Sequence, residues 1–396
     1  MMNAPDLTPF VEGTADLERG EHGLVPHRLP AWLRSQMPDP QLLSAERQPS
    51  GVRLRFRTDA TRIELVLHTS RTTFGGIERP RGHVDVTVDG GHVLRDELTG
   101  GDLTTVDLAT GAPSLARGEH HRTVVDDLPA GPSTVELWLP HQEAVELVEL
   151  RADAEIARTP RTNPRWIHHG SSISQGSNAA GPRDVWPIAA ADALGLDLRN
   201  LGLGGSALVD PALARVIRDA PADVVSLAFG INVVNLDGLR RRTLLAAVHG
   251  FLDTVRDGHP TAPILLITPL HCEIHERTPG PGGIDTTALA SGTLRFVATG
   301  TPGDTALGRL TLEVVREVLA DVVAHRAEDP HLHLLDGLEL YGASDERATP
   351  LPDVLHPDTA THHLVARRFV EHVRSASAPF APVLGTDFDD VEGHRG

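Results

Sequence analysis

Residues 166–174 read Trp166-Ile167-His168-His169-Gly170-Ser171-Ser172-Ile173-Ser174. A short apolar-leaning run that stops at a glycine and then presents two serines reads as a strand turning into a helix. The pattern repeats downstream. Strand candidates at 166–169, 196–200, 224–229, 263–268 and 331–335 alternate with helical candidates at 184–194, 239–256 and 307–325. Leu310, Val314, Val315, Val318 and Leu319 recur at helical spacing, which is one buried stripe. A last helix is expected from about 359 to 373. Strands alternating with helices imply a parallel sheet covered on both faces, with its site at the carboxyl ends of the strands. The expected fold class is therefore α/β: a three-layer domain around a five-stranded parallel sheet, over residues 165–378.

Upstream the period changes from helical to two. Val52-Arg-Leu-Arg-Phe-Arg, Thr61-Arg-Ile-Glu-Leu-Val-Leu, Val84-Asp-Val-Thr-Val-Asp, Thr134-Val-Glu-Leu-Trp-Leu and Ala144-Val-Glu-Leu-Val-Glu-Leu all alternate apolar and polar residues. Short alternating strands without intervening helices imply an antiparallel β-sandwich, placed at residues 1–157. Its first fifty residues fit either an added strand or a wrapping arm. The polar run Ala157-Arg-Thr-Pro-Arg-Thr-Asn-Pro-Arg165 reads as the linker. Residues 379–396 are expected to be a C-terminal tail. The stretch from Cys272 to about Asp304 is rich in Gly, Pro and Thr and lacks periodicity. It reads as a structureless insertion on the active-site side, either a substrate-covering loop or simple disorder.

Composition bounds the function classes. At 396 residues the chain is long enough for two cores, and 40% hydrophobic with 23% charged residues is ordinary for a globular protein. A net charge of −18 lacks the basic footprint that nucleic-acid binding needs. Every one of the 36 basic residues is Arg, which reads as codon bias of a GC-rich genome. The single cysteine, Cys272, excludes an intramolecular disulfide. The N-terminus has neither the basic start nor the apolar core of a signal peptide, and no stretch of about twenty apolar residues could span a bilayer. A cytoplasmic protein with neither a nucleic-acid nor a membrane partner is expected; nothing in the sequence sets its oligomeric state.

Four motifs fall just after predicted strands or in the last loop. Gly170-Ser171-Ser172 offers a nucleophile, although an isolated Gly-Ser-Ser is more often a turn with a capping serine. Asp353-Val-Leu-His356 offers a base and its orienting acid: a carboxylate three residues before an imidazole holds one ring nitrogen while the other faces the serine. Alone, that pattern is more often a capped surface turn. Asn200-Leu-Gly-Leu-Gly-Gly205 and Gly230-Ile-Asn232 offer oxyanion donors: the Gly205 backbone N–H, the Asn232 side-chain amide and the Ser172 N–H. A dinucleotide loop is disfavoured, because Gly-x-Gly-x-x-Gly counted from Gly202 ends on Ala207. The order of the four motifs points to an acyl-transfer enzyme.

This set resembles the SGNH/GDSL family of serine esterases and acyltransferases over about residues 165–375. The resemblance implies a flavodoxin-like SGNH-hydrolase domain with Ser172, His356 and Asp353 as the catalytic triad, and Ser172, Gly205 and Asn232 as the oxyanion hole. It departs at Ser171, where the family usually has Asp, and at Val233, where Asp often follows the asparagine. A jelly-roll-like sandwich placed before such a domain is similar to carbohydrate esterases and to actinomycete acyltransferases that decorate polyketides. The GC-rich character leans towards the latter, hence towards antibiotic biosynthesis. The expected reaction moves an acyl group from an ester or thioester donor to a hydroxyl of a small-molecule acceptor, with ester hydrolysis as the alternative. A catalytically inactive binding protein is the second alternative. No cofactor is expected.

Other residues carry plainer expectations. His271-Cys-Glu-Ile-His275 has no second Cys/His cluster at matching spacing, so no metal site is expected and these residues are placed at the mouth of the site. Of His168 and His169, one is expected to be buried and the other near the site. His362 and His363 are expected at the surface, and Trp186 as a packing anchor. His331 and His333 alternate in a strand and need no special role.

Overall fold

The computed structural model describes residues 6–74, 80–107, 110–290, 292–375 and 379–384. The start of the expected sandwich, residues 1–5, and most of the expected tail, residues 385–396, lie outside this set. Among the described residues, no helix is long and apolar enough to cross a membrane.

The second half of the chain is built on five parallel strands, Arg165–Gly170, Asp197–Gly202, Val224–Ala228, Ile264–Ile267 and Leu332–Leu335. In space the 197–202 strand comes first, followed by 165–170, 224–228, 264–267 and 332–335. The switch of order around 165–170 opens a crevice at its carboxyl end, directly before Ser172. Helices Trp186–Leu194, Arg241–Gly258, Leu312–Ala324 and Thr359–Arg374 cover both faces, each near its expected position. The helix predicted from 307 begins at Leu312, because Thr311 caps it and residues 304–307 form a separate 3₁₀ turn. Two apolar cores flank the sheet. One gathers Leu201, Leu227, Leu266, Val315 and Leu319; the other stacks Trp166 on Phe369 with ring centroids 5.2 Å apart, beside Trp186. Phe380, which the sequence places in the tail, is buried in that second core.

The first half forms two sheets whose inward residues, including Leu54 and Phe56 from one and Leu65, Leu67 and Leu147 from the other, share a core. Among the described residues these strands pair antiparallel with one exception: Ser70–Phe74 pairs in parallel with Asp102–Val106. Both readings of the first fifty residues hold. Strands Val11–Glu12, Asp16–Arg19 and Leu24–His27 join the sheets. Helices Ala31–Gln36 and Pro40–Arg47 wrap onto the parallel-sheet half, where Leu29, Leu33 and Leu42 enter its core.

The stretch from 272 to 304 is not structureless. It carries a helical turn at Glu273–Glu276 and a two-stranded ribbon pairing Gly282–Ile284 with Phe296–Ala298. Its backbone hydrogen bonds are met by this ribbon rather than by apolar periodicity, which is why the pattern was invisible.

Candidate active site

The chain leaves the 165–170 strand at Gly170, and Ser171 caps a short helix, Ser172–Gln175, by accepting the Ile173 N–H. Ser172 is therefore the first helical residue, where a backbone N–H has no partner within the helix. Its Oγ lies 2.9 Å from His356 Nε2, and His356 Nδ1 lies 2.8 Å from Asp353 Oδ2. The three side chains meet although 184 positions separate the serine from the histidine.

Asp353 and His356 sit in a loop that fixes its own geometry. Asp353 Oδ1 accepts the backbone N–H groups of Leu355 and His356 at 3.0 and 2.7 Å. Its Oδ2 also accepts from Asn178 Nδ2 at 3.2 Å. Burial alone would raise the Asp353 pKa, but the hydrogen bonds from His356 and Leu355 outweigh it and hold the carboxyl below its ordinary range. Between acid and base Val354 adopts φ +61°, a left-handed conformation costly for a β-branched residue. The Phe296 N–H donates to Asp353 O at 3.1 Å, and its ring meets the His356 ring edge-on with centroids 5.4 Å apart. The ribbon at 282–298 thus forms a wall beside the base.

The oxyanion candidates lie on two further loops. Gly204 packs against Ser172. Its N–H donates to Gln175 Oε1 at 2.7 Å, and its carbonyl accepts from Gln41 Nε2 at 2.8 Å. In a planar trans peptide the next N–H, that of Gly205, points opposite to the held carbonyl. Gly205 has φ +71°, which glycine adopts freely. Asn232 is buried and its Oδ1 accepts the Ala207 N–H at 3.1 Å, so its NH₂ group remains to donate. Val233 is fully buried in the core.

Beneath the serine lies a layer of buried histidines. Both His168 and His169 are buried, rather than one of the two: each alternates onto a face of the central strand that helices cover. His168 bridges Ser174 and Ser226 at 2.7 Å each, and His169 Nδ1 meets Leu201 O at 2.8 Å. His362 is also buried, against the expectation of a surface position, because its face of the last helix turns inward onto Ser177 O at 3.0 Å. His363 is exposed and pairs with Asp184. Desolvation pushes His168 down to about 3, and His169, His141 and His362 down to about 4.

An apolar cleft opens beside Ser171, lined by Ile173, Trp186, Ile231, Leu270, Leu340 and Val365. His271 and Cys272 line it as well, and burial drives the Cys272 thiol far above its usual range. His275 is buried against Thr278 O at 3.1 Å, away from the cleft mouth where the sequence placed it. A more polar cleft between the two halves, around Arg53, Trp138 and Asp197, holds none of the triad, and Arg53 there is paired with Asp197 at 2.8 Å.

Several supports carried no readable signal in the sequence. Arg28, fully buried, donates to Asn200 O at 3.2 Å, Gly202 O at 2.6 Å and Ala45 O at 2.5 Å. Desolvation lowers its pKa to about 10, which leaves it charged at neutral pH. Ser50 Oγ donates to Gln175 O at 2.6 Å and accepts from Asn200 Nδ2 at 3.0 Å. Asn200 also reaches Ser174 O and the Gly202 N–H, both at 2.9 Å, and Gln175 pairs with Gln48. Residues 28–50 thereby stitch the serine turn to the Gly204–Gly205 loop.

Comparison with known proteins agrees with this architecture. Residues 169–364 match the GDSL-like Lipase/Acylhydrolase family, and residues 10–148 match the family described as SsfX3, N-terminal domain. Among solved structures, the salicylyl-acyltransferase SsfX3 from a tetracycline biosynthetic pathway is 27% identical, with a TM-score of 0.76 over 93% of this chain and 95% of that one. A chain from Bacteroides ovatus ATCC 8483 described as a GDSL-like lipase is 18% identical, with a TM-score of 0.64 over 93% and 96%. A family two carbohydrate esterase from Cellvibrio japonicus is 13% identical, with a TM-score of 0.56 over 96% and 99%. The last two share the fold. No curated protein sequence matches significantly. The chain thus joins an SsfX3-type N-terminal domain to a GDSL-like lipase/acylhydrolase domain, and is an acyltransferase or ester hydrolase of the SGNH type.

Proposed function

We propose that this chain transfers an acyl group from an ester or thioester donor to a hydroxyl of a small-molecule acceptor, through an acyl-enzyme on Ser172. The observation that carries the reading is the unbroken relay of 2.9 and 2.8 Å from Ser172 through His356 to Asp353. Ser172 Oγ attacks the carbonyl carbon while its proton passes to His356 Nε2, and Asp353 stabilises the imidazolium. The negative charge on the carbonyl oxygen is met by the N–H groups of Ser172 and Gly205 and by the Asn232 amide. Collapse breaks the bond to the leaving alcohol or thiol, which takes the proton from His356. The acceptor hydroxyl then gives its proton to His356 as its oxygen attacks the acyl carbon, and Ser172 leaves with that proton.

Transfer rather than hydrolysis is supported by the likeness to the salicylyl-acyltransferase along nearly the full length of both chains. The apolar cleft beside Ser171 suits the acyl group, and the Phe296 ring edge-on to His356 offers an apolar surface to an acceptor competing with water. On the same likeness we place the acceptor among secondary metabolites of antibiotic biosynthesis. The domain limits follow the same reading: a sandwich domain to about 157 and a catalytic domain from 165, since the last sandwich strand ends at Arg158 and the first parallel strand begins at Arg165. Ser172→Ala should lower turnover by on the order of 10⁴-fold or more and abolish labelling by a serine-directed phosphonate. Product analysis with an activated acyl thioester, with and without candidate alcohols, tests transfer. Free acid as the sole product under all conditions would establish the hydrolase instead.

A further inference from the structure

His22, His68 and His120 come together on the outer face of one sandwich sheet, each offering a ring nitrogen within 4.8 Å of the others. His68 lies on the strand Ile63–Phe74, whose alternate residues Leu65 and Leu67 fill the sandwich core, so its side chain turns to the opposite face. There it is nonetheless 2% exposed. His22 covers it, ring centroids 3.6 Å apart, and His120 stands perpendicular at 5.1 Å. His68 Nδ1 and His120 Nδ1 are 3.1 Å apart, and His22 Nε2 is buried without a hydrogen-bond partner.

We propose that these three histidines bind a divalent transition-metal ion, with zinc as the ion of choice and water in the fourth position. Four observations lead there. Two imidazole nitrogens face each other at 3.1 Å, close to the roughly 3.4 Å between nitrogens sharing a tetrahedral zinc at about 2.0–2.1 Å. On its far side His68 Nε2 lies 3.3 Å from Asp102 Oδ1, where an outer carboxylate is placed to take the Nε2 proton of a ligating imidazole. Asp102 is itself held in place, its Oδ1 accepting the Gly118 N–H at 3.3 Å and its Oδ2 accepting from Arg117 at 2.7 Å. The turn bearing His22 is clamped, because Glu146 Oε2 accepts the backbone N–H groups of His22 and Gly23 at 2.7 and 2.9 Å. An all-imidazole set suits zinc, copper or nickel and is indifferent to calcium or magnesium. Bound metal would fasten the 20–23 turn and residue 120 to the sheet. The inference does not depend on the acyl-transfer reading, since no partner named here belongs to the triad or its supports.

The test uses the full-length protein stripped by a chelator. Calorimetric titration with zinc, and the visible absorption of a cobalt substitute, should show one ion per chain and a melting temperature raised by the metal. His120→Ala, at an exposed position, and His22→Ala should each weaken binding at least 10-fold and remove the thermal shift. Asp102→Asn should weaken it about 10-fold by loosening His68, while His92→Ala, an exposed histidine elsewhere on the sandwich, should change nothing. Equal affinity in parent and His120→Ala, zinc spread over several weak sites, or no tight binding by the parent would each overturn the site.

Discussion

On the proposed reading the nucleophile block and the acid–base loop serve one reaction, but they are held together by different means. Between residues 353 and 356 the bonds that place the acid and the base are mostly local: one carboxylate takes two backbone N–H groups and an imidazole within three positions, while Asn178 reaches that carboxylate and Phe296 and Cys272 reach the backbone from a distance. Around Ser172 the short helix makes its own backbone bonds, but most of the side-chain bonds are distant. Arg28, Gln41, Gln48 and Ser50 reach in from the N-terminal segment, and four buried histidines pack beneath. A base need only be held against its acid and aimed at the serine, so a self-contained motif suffices. Oxyanion donors must hold position as charge develops, and that rigidity comes from a wide buried network.

The sharpest way to break this contrast is Asp353→Asn. If the acid–base loop is local in its bonding, turnover should fall by about 10⁴-fold through the wrong imidazole tautomer. The melting temperature should stay within a few degrees. A large loss of stability would show that the loop, too, is structural.

Next comes Arg28→Met, which strips three buried carbonyls of their donor. With unpaired buried groups costing about 1–3 kcal/mol each, unfolding in urea should show a loss of about 3 kcal/mol or more, together with reduced turnover. A variant as stable as its parent would dissolve the claim of long-range support.

The buried histidines give the nucleophile block a pH signature. His168, His169, His141 and His362 are neutral in the fold, at about 3 to 4, whereas the unfolded chain takes up protons near 6.5. Below 6.5 the unfolded state binds more protons, so their contribution is complete above that pH and is lost as the pH falls towards 4. Denaturation between pH 7 and 4.5 should show falling stability; a flat profile would contradict their burial.

The smallest effect sharpens rather than breaks the contrast. Gln41→Ala removes the donor on Gly204 O and should cost a few-fold in kcat with KM and melting temperature nearly unchanged. A change in KM alone would make Gln41 a substrate contact instead.

Legibility followed the same division. Asp353 and His356 could be paired on paper because three residues of chain fix their distance. The parallel sheet was readable because buried strands and amphipathic helices carry period and order in their own residues. The histidine expectations went astray for a complementary reason: burial of His168, His169 and His362 depends on which helix covers them. The three sandwich histidines show this most fully, since His68 and His120 are 52 positions apart and adjacent only through strand pairing. Residue spacing cannot express such a neighbour.

By itself the sequence determined the α/β class, the sandwich before it, and the identity and order of the groups able to do acyl chemistry, because periodicity and short-range geometry are properties of neighbouring residues. Only the tertiary structure decided that Ser172 and His356 lie within hydrogen-bond distance, that an arginine from the first thirty residues holds two carbonyls of the 197–202 strand, and which histidines are dry. Those are matters of long-range packing: hydrogen-bond partners and dielectric belong to the assembled space around a side chain, and that space is written nowhere in its local sequence.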